Sequence, residues 1–161
     1  KEDYMNYRFA EDKDKSAINE VLDLSFDSAY AYYAKKSFAS LEDSLVAEEY
    51  KRVVGVINWK KYRVNGDKIG YIFWLAVHPD HRGKGIGTRL MMDLIKIANE
   101  KGYATMVAGI DSGNEGSKVM HENLGFINCG TIKRVGYKFG KWLNVTFYQY
   151  ELRGPTTPKE E

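Results

Sequence analysis

The sequence predicts a single-domain α/β (α+β) fold, with a mixed, mostly antiparallel central sheet of about seven strands flanked by about four helices. Three observations carry that expectation. Apolar and polar residues alternate with a period of two on both sides of the chain's middle, as in antiparallel strand pairs. Two segments of helical periodicity after Val77 are long enough to be crossover connections. No internal repeat or linker divides the 161 residues, a length that suits one core. The expected domain is 1–152, followed by a polar tail at 153–161, "RGPTTPKEE".

Taken in order, "MNYRFA" (Met5–Ala10) predicts a short first strand. In "EDKDKSAINEVLDLSF", Ile18, Val21, Leu22 and Phe26 recur at helical spacing behind an acidic opening that suits a helix N-terminus. "DSAYAYYAKKSFAS" reads as a second helix or an ordered loop. Three strands follow within Ser44–Pro79, with turns expected near Glu49–Arg52 and at Asn65–Asp67. A long helix runs from Gly85 to about Glu100, with Ile86, Leu90, Leu94 and Ile97 on one face and Gly102 as its C-cap. "YATMVAGI" predicts a strand buried on both faces. A last helix spans about Glu115–Asn123, and the chain closes with an antiparallel pair joined around Gly136–Lys141.

Composition narrows the function. Lys plus Arg number 24 against 22 acidic residues, and a net charge of +2 is weak for a nucleic-acid binder, so no nucleic-acid partner is expected. No apolar run approaches the roughly 18 residues of a membrane span, so no membrane partner is expected. Cys129, the single cysteine, excludes an intrachain disulfide and a cysteine-rich zinc site, so no metal is expected. It fits a reducing, cytoplasmic setting. No signal peptide is visible, and Lys1 in place of an initiator Met leaves a processed or trimmed start open.

The segment most loaded with chemistry is "VHPDHRGKGIGTRL", Val77–Leu90. Gly83, Gly85 and Gly87 alternate at a strand-to-helix junction, where bare backbone and free N–H groups suit an anion. A Walker loop would need Lys-Ser/Thr directly after its last glycine, whereas Gly87 precedes Thr88-Arg89. A dinucleotide fingerprint belongs after the first strand, and this loop lies mid-chain.

With Arg82, Gly85 and Gly87 in the pattern Arg/Gln-x-x-Gly-x-Gly/Ala, the loop resembles that of the GCN5-related N-acetyltransferases. "NEGSKVMHENLGF" (Asn114–Phe126) and the closing strand pair agree in order, so the resemblance covers about Val53–Leu152. "KVMHENLGF" and "VGYKFGKWLNVTFYQ" are most similar to the phosphinothricin-type branch, with His121 where many relatives carry Tyr. The resemblance implies an N-acetyltransferase that moves the acetyl group of acetyl-CoA, the co-substrate, to a primary amine of a small amino-acid-like or polyamine acceptor. It also implies a homodimer, in which the loop around Gly136–Lys141 takes part. Two alternatives stand beside it: a protein N-terminal or lysine acetyltransferase, and an acyl-CoA-binding module without catalysis.

The same resemblance assigns roles. The backbone of Leu75, Ala76 and Val77 would pair with the pantetheine arm. The N–H groups of Gly83, Lys84, Gly85, Ile86, Gly87 and Thr88, with Arg82, would hold the diphosphate. Asn114 and Ser117 would meet the pantetheine arm, although Asn114 also suits a plain helix N-cap. His121, four residues after Ser117, is the candidate general acid for the leaving thiolate or a water-linked acid/base. The branch places its basic glutamate where this chain has Ile72, so that base has no counterpart here. His78 and His81 read as turn residues and Cys129 as a packed core residue. Tyr30, Tyr32, Tyr33 and Trp59 are expected in an acceptor pocket, in the core or in a dimer contact.

Overall fold

The computed structural model describes residues 4–64, 67–138 and 140–154. Its strands are β1 (Met5–Phe9), β2 (Leu45–Glu49), β3 (Arg52–Val64), β4 (Asp67–Val77), β5 (Thr105–Asp111), β6 (Ile127–Lys138) and β7 (Lys141–Glu151). They form a 7-stranded sheet in the order β1-β2-β3-β4-β5-β7-β6. The helices are α1 (Lys15–Ser25), α2 (Ser28–Ser37), α3 (Ile86–Glu100) and α4 (Glu115–Asn123). β4 and β5 run parallel, while β1–β2, β2–β3, β5–β7 and β6–β7 are antiparallel. The mixed, mostly antiparallel fold is therefore the expected one. Asn65 and Gly66, at the expected second turn, lie outside the described residues.

The chain gathers into two compact units. The first joins Lys1–Trp59 to Phe73–Leu94. Its core holds Ile18, Val21 and Leu22 of α1, Ala34 and Phe38 around the end of α2, and Val46, Val53, Val56 and Ala76 from the strands. The helical spacing of the α1 residues is what brings one stripe of that helix inside. The tyrosine-rich stretch resolves as helix because Ala31, Ala34 and Phe38 are buried while Tyr32 and Tyr33 stay exposed. Trp59 is a core residue, its indole N–H donating to the Asp43 carbonyl, so it leaves the acceptor-pocket candidates. α3 rests on bare strand backbone at Gly55. A Cβ there would stand 3.0 Å from Ile86 Cγ2 and 3.2 Å from Leu90 Cδ1.

The second unit joins Lys60–Ile72 to Ile95–Glu161. Here β5 departs from expectation: Met106, Ala108 and Ile110 are buried, but Gly109 and Asp111 are exposed. Only one face of this strand is covered in full, as the alternation of side chains on a half-buried sheet dictates. Cys129 is a second correction. It lies exposed on β6, the outermost strand of the sheet, where no layer exists to bury it. The C-terminal stretch starts as a docked segment, with the Arg153 N–H donating to Asn99 Oδ1 at 2.7 Å.

One polar anchor of the first unit is buried. Arg8 on β1 forks onto both oxygens of Asp14, at 2.8 and 2.9 Å, and reaches Glu48 on β2 at 3.0 Å. Asp14 also accepts the Glu11 N–H at 2.8 Å at the turn that leads into α1. Hydrogen bonding to Arg8, the largest cause, holds the Asp14 carboxyl below the usual carboxylate range against the opposing effect of burial. A lowered folded value contributes stability that is complete above the unfolded aspartate value of about 3.9 and fades as pH falls through the folded one. Asp14→Asn is expected to cost about 1–3 kcal/mol at neutral pH. In urea unfolding, its gap from wild type should narrow below a pH of about 4.

Candidate active site

The glycine loop is set by the end of β4. The His78 N–H donates to Val54 O at 2.7 Å, and the His78 ring accepts from the Asp80 N–H, which starts the short 3-10 turn Pro79–His81. Val77 O accepts from both Ser25 Oγ at 3.2 Å and Arg82 Nε at 3.0 Å. Both lone pairs of that carbonyl are thus taken, which leaves the N–H as the main-chain group Val77 could offer a ligand. Ala76 is 4% exposed and belongs to the core, so it too could act only through its backbone.

Gly83 and Gly85 both have φ of +78°, and a Cβ built on either would meet nothing within 4 Å. The space above the loop is open, and the positive φ explains why glycine is required at these two positions. The Arg89 N–H donates to Gly85 O at 3.0 Å, which makes Gly85 the residue from which α3 starts. The N–H groups of Ile86, Gly87 and Thr88 in the first turn then have no carbonyl one turn back inside the helix. Together with the positive end of the helix dipole, they form a cradle for an anion. The Ile86 side chain itself is buried at 3% exposure, so its contribution is the N–H. Among nearby cations, Arg89 is bound to Asp93 at 3.0 Å and lies over the Tyr7 ring at 4.4 Å. Arg82 keeps its terminal nitrogens beyond the Nε bond, and Lys84 lies on the loop itself.

β4 pairs with β5 from Ile69↔Thr105 to Ile72↔Ala108, and among the described residues this parallel ladder extends no further. Ile72 is 6% exposed and closes the ladder with an aliphatic side chain. Beyond β5, Asn114 caps α4, its Oδ1 accepting the Ser117 N–H at 3.1 Å. The cap reading of Asn114 is therefore realised in the chain.

His121 lies one turn after Ser117, and Nδ1 is 2.7 Å from the Ser117 carbonyl. A carbonyl only accepts, so Nδ1 carries the proton and Nε2 the lone pair in the neutral ring. The ring is 4% exposed and packs against Phe126 and Tyr148, with centroids 5.0 and 6.0 Å away. Nε2 is buried without a hydrogen-bond partner among the described residues. Burial pushes the pKa of His121 below its ordinary value, outweighing the raising effect of the Ser117 bond. The sequence offered His121 as a general acid or a water-linked acid/base, and a neutral ring with this tautomer has a basic nitrogen to offer at Nε2. Elsewhere, Tyr30 and Phe26 pack edge-on against Trp74, at 6.5 and 5.3 Å, in the first unit. Trp74 and Phe26 were missed as aromatic wall candidates, because the pattern of β4 reads as strand core whichever face its tryptophan takes.

The match to the family model Acetyltransferase (GNAT) family spans residues 7–126. The chain belongs to this acetyltransferase family and is an acetyl-CoA-dependent N-acetyltransferase. It is 34% identical to the L-amino acid N-acyltransferase MnaT of Escherichia coli over 96% of its length and 98% of the relative's. It is 33% identical to the L-methionine sulfoximine/L-methionine sulfone acetyltransferase of Salmonella typhimurium, over the same 96% and 98%. Among solved structures, the acetyltransferase yncA of Salmonella typhimurium with acetyl-CoA superimposes with a TM-score of 0.77 at 30% identity, covering 97% of this chain and 98% of the other.

The state of His121 can be read directly. In nitrogen-detected NMR of the ring, the Nδ1-protonated neutral tautomer is expected at neutral pH, with a titration midpoint below the ordinary histidine value of about 6.5. Because the folded ring resists protonation, the unfolded chain takes up the proton first. Folding stability should therefore fall as pH drops below that value.

Proposed function

We propose that this chain acetylates the α-amine of a small L-amino-acid-like acceptor. The observation that carries the reading is the open cradle at Gly83–Thr88, on a chain whose full-length relatives are amino-acid N-acyltransferases. Acetyl-CoA supplies a thioester acyl donor. The N–H groups of Gly83 to Thr88, with Arg82, hold its diphosphate, and the backbone of Leu75, Ala76 and Val77 lies along the pantetheine arm. Asn114 and Ser117, at the start of α4, also serve that arm. Fixing the donor in one pose removes translational freedom from the attack by the amine.

The acceptor arrives as an ammonium and must lose a proton before it can attack. Ile72 cannot take it. His121 is the better candidate: a neutral ring whose Nε2 has no hydrogen-bond partner among the described residues receives the proton through water, which is the water-linked acid/base role among the two read from the sequence.

We also infer a homodimer. The β6–β7 hairpin exposes Ile127, Ile132, Val135 and Tyr137 on β6, the outermost strand of the sheet, and Trp142 on the neighbouring β7, each between 49% and 64% accessible. Such an apolar edge is a pairing surface for a second copy. A cytoplasmic setting, where thiols stay reduced, fits the exposed Cys129. Sedimentation should give a dimer for the wild type, and Ile132→Lys should shift it toward monomer.

Release of free thiol from acetyl-CoA tests the reaction with a panel of L-amino acids, their N-acetylated and α-hydroxy analogues, and short peptides. Turnover restricted to free α-amines of single amino acids is the expected result. Preference for peptide N-termini would move the chain to protein acetylation, and CoA binding without turnover of any amine would make it a binding module.

A further inference from the structure

Glu49 closes β2 and is in register with Met5 of β1 and Arg52 of β3. Its side chain is 11% exposed, and both its oxygens are directed at the glycine loop segment. Oε1 is 3.5 Å from Lys84 Nζ, and Lys84 stands between Gly83 and Gly85. Oε2 meets Nδ1 of His81, the last residue of the turn that feeds the loop. That ring nitrogen is buried, and among the described residues the Glu49 carboxylate is the group that offsets its desolvation.

The loop needs such a tie. Side-chain packing cannot locate Gly83 or Gly85, because neither would find a neighbour even with a Cβ. Glycines also lose the most conformational freedom when a ligand orders them. The loop is held at its entry by the His78 N–H on Val54 O and at its exit by the Arg89 N–H on Gly85 O. Between those points, Glu49 is the group from another element that reaches it at both His81 and Lys84. We infer that Glu49 is a positioning residue, which pre-orders the glycine loop from β2 and keeps the Lys84 ammonium beside the cradle. The inference rests on the diphosphate reading of the loop given above.

Pre-ordering lowers the entropic cost of binding and leaves the chemical step alone. Glu49→Ala should therefore raise both the Kd for CoA in calorimetry and the KM for acetyl-CoA by about 3–30-fold, with kcat at saturation within about twofold of wild type. Glu49→Gln keeps the shape and an acceptor oxygen for His81 but loses the charge that holds Lys84, so it should fall between the two. Lys84→Met combined with Glu49→Ala should be less than additive, since the two share one interaction. Gly85→Val, with its fold checked by circular dichroism, is the control for the underlying reading and should abolish CoA binding. If Gly85→Val binds CoA normally, the diphosphate reading falls. If Gly85→Val loses CoA but Glu49→Ala and Glu49→Gln keep wild-type affinity, the role of Glu49 alone falls. Tighter CoA binding by Glu49→Ala would overturn it too, because Glu49 would then compete with the diphosphate for Lys84. Should Glu49→Ala not fold, Glu49→Gln and Lys84→Met carry the same comparison.

Discussion

Strand β4 has to stop at a fixed point, and three hydrogen bonds at Val77 and His78 fix it. Val77 O receives Ser25 Oγ from the end of α1 and Arg82 Nε from the far side of the turn, while the His78 N–H is bound to Val54 O on β3. The strand therefore ends against a helix, its own turn and its neighbour at once. Gly83 and Gly85 can be conformationally loose because the frame on either side of them is not. A loop of left-handed glycines without that frame would sample many shapes, and most would aim its N–H groups away from a common point.

The same economy of polar groups governs His121. Burying a ring nitrogen without a partner is costly, and a fold under no other demand would replace it with an apolar residue. The Nδ1 bond to Ser117 O satisfies one nitrogen and fixes the tautomer, so the orphan is Nε2, the nitrogen with a free lone pair. Ile72, at the last position of the described β4–β5 ladder, presents an aliphatic side chain. In the proposed reaction an aliphatic side chain there cannot take the acceptor's proton.

Much of this was legible in the sequence for identifiable reasons. Strong periodicity marked α1 and α3, and the Gly102 stop matches its observed φ of +77°. The loop was legible because glycine at alternate positions has few other uses. Other features depended on tertiary context. β5 looks buried on both faces because "YATMVAGI" is mostly apolar, yet one of its faces carries Gly109 and Asp111 into solvent. Cys129 looked like core because nothing local says that its strand is the sheet's edge. Trp59 could be assigned to core only once Asp43 was seen to accept its N–H. Glu49 left no signal at all. It lies 35 residues before Lys84, and a glutamate at a strand end is ordinarily a solvated one.

What aims Glu49 is the turn that follows it. Tyr50 and Lys51 both take positive φ, 48° and 65°, although neither is glycine. Left-handed backbone costs a non-glycine residue roughly 1–2 kcal/mol, so a hairpin that uses two of them needs compensation. The twist of the flanking strands favours this two-residue turn over its mirror form. The Tyr50 ring stacks on Tyr4 at 5.0 Å, and the Tyr50 N–H is bound to Tyr4 O. Tyr4, just ahead of β1, thereby pins the turn, and the turn pins the register of Glu49 against Arg52. The irregularity opposite Ala47 and Glu48 leaves Val54 of β3 as the extra residue, while β2 keeps its regular alternation against β1. A slip of one residue would exchange the faces and give Glu48 to the loop and Glu49 to Arg8. Instead Glu48 completes the Arg8–Asp14 anchor under α1, while Glu49 serves His81 and Lys84. Two adjacent carboxylates on one strand thus divide between holding the fold and holding the loop.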